Sequence, residues 1–178
     1  MKYHNAMNIF IVGGGEIGTS LAVQLAKDGY KLTLIDREGS IVDNMGNTAD
    51  VICYQGNGAS YATLKELNAS DADMFIAVTN SDELNILSCM TAHMMGAKHT
   101  IARVRDVDYA SQNRFYKDKL GLSMTINPEL ATALEVYRLL RFPLATRVEV
   151  FAGGRAELVE MSVKEGSPLS EKTLIEIN

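Results

Sequence analysis

Long apolar runs are missing from this 178-residue chain: no stretch approaches the ~20 residues that a membrane-spanning helix needs. The opening segment "MKYHNAMNIF" has one lysine and no apolar h-region, so it does not read as a signal peptide. Met7 offers a second start, which makes residues 1–6 an extension. An excess of basic charge is missing too. Lys and Arg number 17 against 22 Asp and Glu, a net charge of −5. That balance speaks against a nucleic-acid binder and against a polybasic membrane patch. Cysteine is scarce: Cys53 and Cys89 both lie in apolar patterns and read as core residues of a reduced cytosolic protein, not as a disulfide framework. Histidine is scarcer than catalysis would suggest. His4 sits in the extension, His93 within a helical pattern and His99 at the opening of a strand, and no His/Cys cluster has metal-ligand spacing. "FYKDK" (115–119) places Tyr116 directly before Lys117, which is not the Y-x-x-x-K of short-chain dehydrogenases. There is no low-complexity segment.

What is present is a folded pattern. Hydrophobic residues make up 47% of the chain, typical of a globular core. Short continuous apolar runs fall at Ile9–Val12, Leu32–Ile35, Val51–Tyr54, Met74–Val78, Thr100–Val104 and Met124–Ile126. Such runs suit parallel strands buried on both faces. Helical patterns alternate with them. Ile17, Leu21 and Leu25 recur at i, i+4; Leu84, Leu87, Met90, Met94 and Met95 follow "NSDE", where Ser81 or Asp82 caps the helix; and Glu129–Leu140 follows Pro128. The alternation predicts an α/β fold, a Rossmann-like doubly wound parallel sheet, over residues 7–143. From residue 144 the pattern changes. "TRVEVFAGGRAELVEMSV" alternates about Gly153-Gly154 as a β-hairpin does, and "SPLSEKTLIEI" begins another helix. A hairpin and half a helix bury little area alone. Residues 144–178 therefore read as the start of a small α+β carboxy-terminal subdomain, with the native polypeptide continuing beyond it.

The chemistry sits in "IFIVGGGEIGTSLAVQLAKDGYKLTLIDR" (9–37). Gly13, Gly15 and Gly18 form G-x-G-x-x-G between a strand and a helix. Gly13 permits the tight turn, Gly15 lets a pyrophosphate approach the backbone, and Gly18 lets the helix pack on the strand. The helix start, Gly14 to Ile17, offers N–H groups and a positive dipole end. Glu16 is expected to turn its side chain to solvent, its N–H facing the ligand. Asp36 lies 18 residues past Gly18, placed to accept from both ribose hydroxyls and to repel a 2′-phosphate. Arg37 beside it either tolerates such a phosphate or lies over the adenine face. In sheets of this kind ligands bind outside the carboxyl ends of the strands. That puts Asn57 near the adenine, Thr79 and Asn80 near the middle of the ligand, and Arg103, a cation, near a phosphate.

The joint pattern "IVGGGEIG…LIDR…GNGAS…DADMFIAVTNSDELNIL…IARVRD…INPELA…YRLL" resembles the RCK, or KTN (TrkA-N), domain family of potassium channels and transporters. The resemblance covers about residues 7–178. "GSPLSEKTL" (166–174) is similar to the opening of the family's carboxy-terminal subdomain, which is only partly present. The resemblance implies that Gly13 to Ile17 hold a pyrophosphate, Asp36 the ribose, Thr79 and Asn80 the centre of the ligand, and Arg103 a phosphate. Many relatives have an acid where this chain has Asn57. The ligand implied is NAD(H), or alternatively ATP or ADP. The family implies pairing into a homodimer or higher oligomer through helices that here span about Tyr109–Lys119 and Glu129–Leu140, with Leu130, Leu134, Tyr137 and Leu140 spaced for one face. It implies no catalytic residue and no bound metal. The partner implied is a membrane-embedded, TrkH-like potassium transporter subunit at the inner face of the cell membrane, with no insertion of this chain into the bilayer. The expectation is thus a cytoplasmic regulatory subunit that gates potassium transport. Its rivals are a truncated NAD-dependent oxidoreductase and a redox sensor controlling something else.

Overall fold

The computed structural model describes residues 7–143, 145–152, 155–170 and 172–177. The extension at 1–6 and the Gly153-Gly154 turn lie outside the described residues. The chain divides into two compact units, Met1–Pro128 and Glu129–Asn178.

In the first unit, six parallel strands carry the fold: β1 (Asn8–Val12), β2 (Lys31–Asp36), β3 (Ile52–Gln55), β4 (Met74–Ala77), β5 (His99–Arg103) and β6 (Met124–Ile126). Their order across the sheet is β3-β2-β1-β4-β5-β6. The chain winds outward from β1 to β3 on one side, then returns to lay β4 against the other edge of β1, with Val12 opposite both Ile35 and Ala77. Successive strand residues point to opposite faces, and each face has its own core. Phe10 and Val12 join Phe75, Ala77, Cys89, Ala102 and Leu122 on one side. Ile9 and Ile11 join Leu32, Leu34, Ile76 and Met45 on the other. Helices α1 (Glu16–Lys27) and α2 (Gly39–Thr48) cover the second face; α3 (Tyr61–Glu66), α4 (Asp82–Met95) and α6 (Asn113–Leu120) cover the first, with the short α5 (Val107–Ala110) ahead of α6. Two covered faces are why the strands read as unbroken apolar runs.

Two helices differ from the sequence reading. The Tyr109–Lys119 segment is broken at Ser111-Gln112 into α5 and α6, and α5 has its own cap at Asp106, which accepts from the Asp108 N–H at 2.7 Å. In α4 the leucine and methionine spacing holds in part: Met90 and Met95 pack half-buried against the core. Leu87 and Met94 are exposed, and the face against the sheet is Asn85, Ser88, Cys89 and Ala92. Small side chains there let the helix lie close over Ala77, Thr100 and Ala102 of the sheet. Burial pushes the Cys89 thiol up to about 12, so it is an inert core group.

In the second unit, α7 (Pro128–Arg141) is followed by an antiparallel pair, β7 (Ala145–Phe151) and β8 (Ala156–Met161), with Val148 opposite Val159. The sequence reading placed α7 in the nucleotide-binding domain; in the structure it groups with the hairpin, and Arg141 Nη1 donates to both carboxylate oxygens of Glu157 at 3.0 Å. After the hairpin, helix appears among the described residues only as α8 (Leu174–Ile177).

Candidate functional site

The sheet order reverses between β1 and β4, and a crevice opens where the loops after them part. The first loop is the glycine turn. Gly13 adopts φ +100°, and its N–H donates to Ile35 O at 2.9 Å. That conformation is strained for any residue with a Cβ. Gly18 lies under it: a Cβ there would stand 1.8 Å from Gly13 O. Gly15, by contrast, is exposed, and a Cβ built on it meets nothing within 4 Å.

Asp36 ends β2 facing this loop. Its Oδ2 accepts the Gly14 N–H at 2.6 Å and its Oδ1 the Glu38 N–H at 2.8 Å. A carboxylate has about four acceptor positions, so two remain after these bonds. Arg37 is held on both sides: its Nη2 donates to Asn57 Oδ1 at 3.0 Å, and its carbonyl accepts from Gln55 Nε2 at 3.1 Å.

Between these loops lies a cleft of about 260 Å³. The structure brings together Gly13, Gly15, Asp36, Arg37, Thr79 and Asn80 around it, with Gly58 and Glu38 added to the wall. The other candidates stand elsewhere. Gly14 and Gly18 shape the turn from behind, and Asn57 supports Arg37. Glu16 is exposed, as its position at a helix start requires, and together with Ile17 it borders a separate shallow groove on α1. Arg103 is only 7% exposed, and its Nη1 donates to Thr79 O at 3.2 Å. It is placed behind the wall and reaches the cleft through Thr79.

The two side chains that assemble this wall were not among the sequence candidates. Asn85, fully buried in α4, accepts from the Thr79 N–H at 2.8 Å and the Thr79 hydroxyl at 2.7 Å, and donates to Thr79 O at 3.1 Å and Arg103 O at 2.9 Å. Asp82, at the same helix start, accepts the N–H groups of Arg105 at 2.7 Å and Asp106 at 2.8 Å, and pairs with the Arg105 guanidinium at 3.3 Å. The Arg105 guanidinium also donates to Asn80 O. Ser81 caps the helix, its Oγ accepting the Leu84 N–H at 3.1 Å. The signal for both was the run "TNSDELN" itself: residues three and six after Thr79 lie on the inner side of the first helical turns.

Burial raises the Asp82 carboxyl, but the Asp106 and Arg105 N–H groups and the Arg105 guanidinium outweigh it and hold its pKa below the usual carboxylate range. A lowered folded pKa stabilises above the unfolded value near 3.9, and that stabilisation is lost as pH falls through the folded value. Asp82→Asn is therefore expected to cost roughly 1–3 kcal/mol at neutral pH. Urea melts from about pH 7 to about pH 3 should show the gap from wild type closing at the acid end; a gap independent of pH would show that the charge plays no part.

Among the described residues there is no cluster of three or more His, Cys, Asp or Glu able to hold a metal ion, and no helix long and apolar enough to cross a membrane.

The TrkA-N domain family matches residues 9–128, from β1 to the start of α7. The chain belongs to this family. It is 35% identical over 171 residues to a Trk system potassium uptake protein TrkA homolog of Archaeoglobus fulgidus, an alignment covering 96% of this chain and 39% of that protein. It is 32% identical over 166 residues to a TrkA homolog of Methanothermobacter thermautotrophicus, covering 93% and 75%. The chain thus spans well under half of the first relative and three quarters of the second. Among solved structures, GsuK bound to ADP superposes with a TM-score of 0.63 at 25% identity, covering 77% of this chain and 34% of that one. The GsuK channel bound to NAD gives 0.65 at 16% identity over 85% and 26%, a likeness of fold. The TrkA-N match stops at Pro128, where the first compact unit also stops. In this TrkA-N domain, then, every loop of the crevice lies inside the matched region.

Proposed function

We propose that this TrkA-N domain is the nucleotide-sensing part of a potassium-uptake system. It binds NAD(H), with ATP or ADP as the alternative ligand. It catalyses nothing itself, and regulates a membrane-embedded, TrkH-like transporter subunit from the cytoplasmic side as a homodimer or higher oligomer. The observation that carries the reading is the convergence of Gly15, Asp36 and Asn80 on one cleft at the reversal of strand order. The cleft's volume of about 260 Å³ lies just below the ~300–1,000 Å³ usual for ligand sites. It suits the adenosine and first phosphate that NAD, ADP and ATP share. Asp36 keeps acceptor positions for ribose hydroxyls, and the open space before Gly15 admits phosphate oxygens to the helix start. Solved GsuK structures bear ADP and NAD, and the curated relatives are potassium uptake proteins. The pairing reading draws on α7, where Leu130, Leu134, Tyr137 and Leu140 are 45–77% exposed. Control of a transporter further requires the nucleotide to bind two assembly states with different affinity.

The test is a thermal-shift panel with NAD, NADH, NADPH, ATP and ADP. A ligand at ~100 times its Kd adds about 2.7 kcal/mol, roughly 5–10 °C for a chain of this size. Asp36→Ala is the control: it should lower the shift for every adenine nucleotide. An undiminished shift in that variant removes the ribose role, and no shift with any nucleotide on wild type removes the sensor reading.

A further inference from the structure

We infer that Asn85 is a positioning residue for the phosphate side of the cleft, and that the group it aims at the ligand is the Asn80 backbone N–H. The inference rests on the nucleotide-binding reading above and names the atom that performs part of it.

The Asn85 side chain is saturated with hydrogen bonds. A carboxamide offers two donor hydrogens and an oxygen with two lone pairs. Asn85 uses all four, three of them on Thr79: its Oδ1 takes the Thr79 N–H and hydroxyl, and its Nδ2 donates to Thr79 O. The fourth goes to Arg103 O, at the end of the neighbouring strand. One buried group thus holds both polar ends of the residue at the cleft wall. The amide orientation follows from the partners, because only the oxygen can accept from the Thr79 N–H.

The consequence falls on the next residue. A trans peptide is planar, with its C=O and N–H pointing in opposite directions. The Thr79 carbonyl is gripped from behind by Asn85 Nδ2 and by Arg103 Nη1. The N–H at the other edge of that same peptide belongs to Asn80, which lines the cleft. It is turned away from the buried pair, and it donates to no backbone or side-chain acceptor among the described residues. The Gly15 N–H, across the cleft, likewise has no acceptor there. The two donors face an anion from opposite walls, and neither needs a charged side chain in the cleft. Arg103 acts in this arrangement by bracing the carbonyl.

A purely structural Asn85 predicts something different. It would stabilise α4 against β5, and its loss would weaken all ligands together or none. The experiment separates the two. Amide NMR on the wild-type chain, titrated with ADP, should move the Asn80 proton downfield, as expected of a new bond to an anionic oxygen. Asn85→Asp keeps the acceptor for the Thr79 N–H and places an oxygen against the two carbonyls. It should abolish that shift, cut ADP and NAD affinity about tenfold or more, and leave adenosine, followed by saturation-transfer NMR, within about twofold. Asn85→Ala, which adds no buried charge, should do the same if the aspartate variant does not fold. ADP binding without movement of the Asn80 amide overturns the inference and leaves the nucleotide reading standing. So does an equal loss for adenosine and ADP, or no loss for either, in a folded variant. A wild-type chain that binds no adenine nucleotide overturns both.

Discussion

Gly15→Val is expected to weaken ADP and NAD binding by at least about a hundredfold, ~2.7 kcal/mol, while the unliganded protein melts within about 4 °C of wild type. The two halves of that expectation come from one measurement of space. A Cβ on Gly15 meets no atom within 4 Å, and the residue sits at φ −68°, ψ −169°, backbone that valine adopts readily. It is the N-cap of α1 without a side-chain cap bond, so replacing glycine there loses only the preference of that position for glycine over valine, about 1 kcal/mol. The space in front of Gly15 is empty of protein because it belongs to the cleft. An isopropyl group there covers the N–H groups at the helix start and occupies the volume assigned to phosphate. Calorimetric melting together with isothermal titration checks both halves. Unchanged affinity would place the ligand elsewhere; a large drop in melting temperature would show that the loop depends on Gly15 for its own folding.

Gly18→Ala is expected to do the reverse: lower the melting temperature by about 4–8 °C and weaken binding only as a consequence. Alanine is the better helix former by ~1 kcal/mol, which by itself would stabilise α1. Against this, the new methyl carbon would stand 1.8 Å from Gly13 O and 3.4 Å from Val78 Cγ2. Those neighbours are backbone and core, so α1 must lift from the sheet. Overpacking of this kind costs up to about 3 kcal/mol, and the net of about 2 kcal/mol sets the temperature shift. The Gly13 turn moves with the helix, so some affinity goes too. A variant as stable as wild type would show that α1 rides outward freely, and would remove Gly18 as the spacer between helix and strand.

The opposite expectations for Gly15 and Gly18 follow roles that the motif itself assigns. In G-x-G-x-x-G both are glycines at prescribed positions, and the spacing alone assigns them roles. The packed structure adds the distances: a Cβ on Gly15 meets nothing within 4 Å, and one on Gly18 stands 1.8 Å from Gly13 O. In α4 the structure departs from the sequence pattern. The periodicity of Leu84, Leu87 and the methionines suggested an apolar face, but the fully buried line is Asn85, Ser88, Cys89 and Ala92, with Met90 and Met95 only half-buried at the edge of the core and Leu87 and Met94 exposed. Apolar spacing identifies a helix reliably, yet which side it buries depends on the size of what it meets.

Arg103 is the clearest case among the site residues. As a cation at a strand end it read as a phosphate ligand, and nothing in the local sequence says otherwise. Its position behind Thr79 depends on Asn85, 18 residues earlier on a different element, holding its carbonyl. Asp36 shows the converse. The end of an apolar run after a glycine turn determines its location within a residue, because a parallel strand has to finish where its hydrogen-bonded neighbour finishes, and Asp36 does pair with Gln55 at the end of β3.

By itself, then, the sequence determined the alternation of strand and helix, the parallel sheet, the glycine turn and the acid at the end of β2. These follow from local chemistry: apolar runs buried on both faces, glycine where φ is positive or a backbone comes close, an acid where a strand meets solvent. The tertiary structure alone decided which helix faces are buried, that Asn85 and Asp82 hold the far wall of the cleft, and that Arg103 braces that wall from behind. Those properties belong to pairs of groups far apart in the chain, and their distances are set only when the two layers of helices close on the sheet.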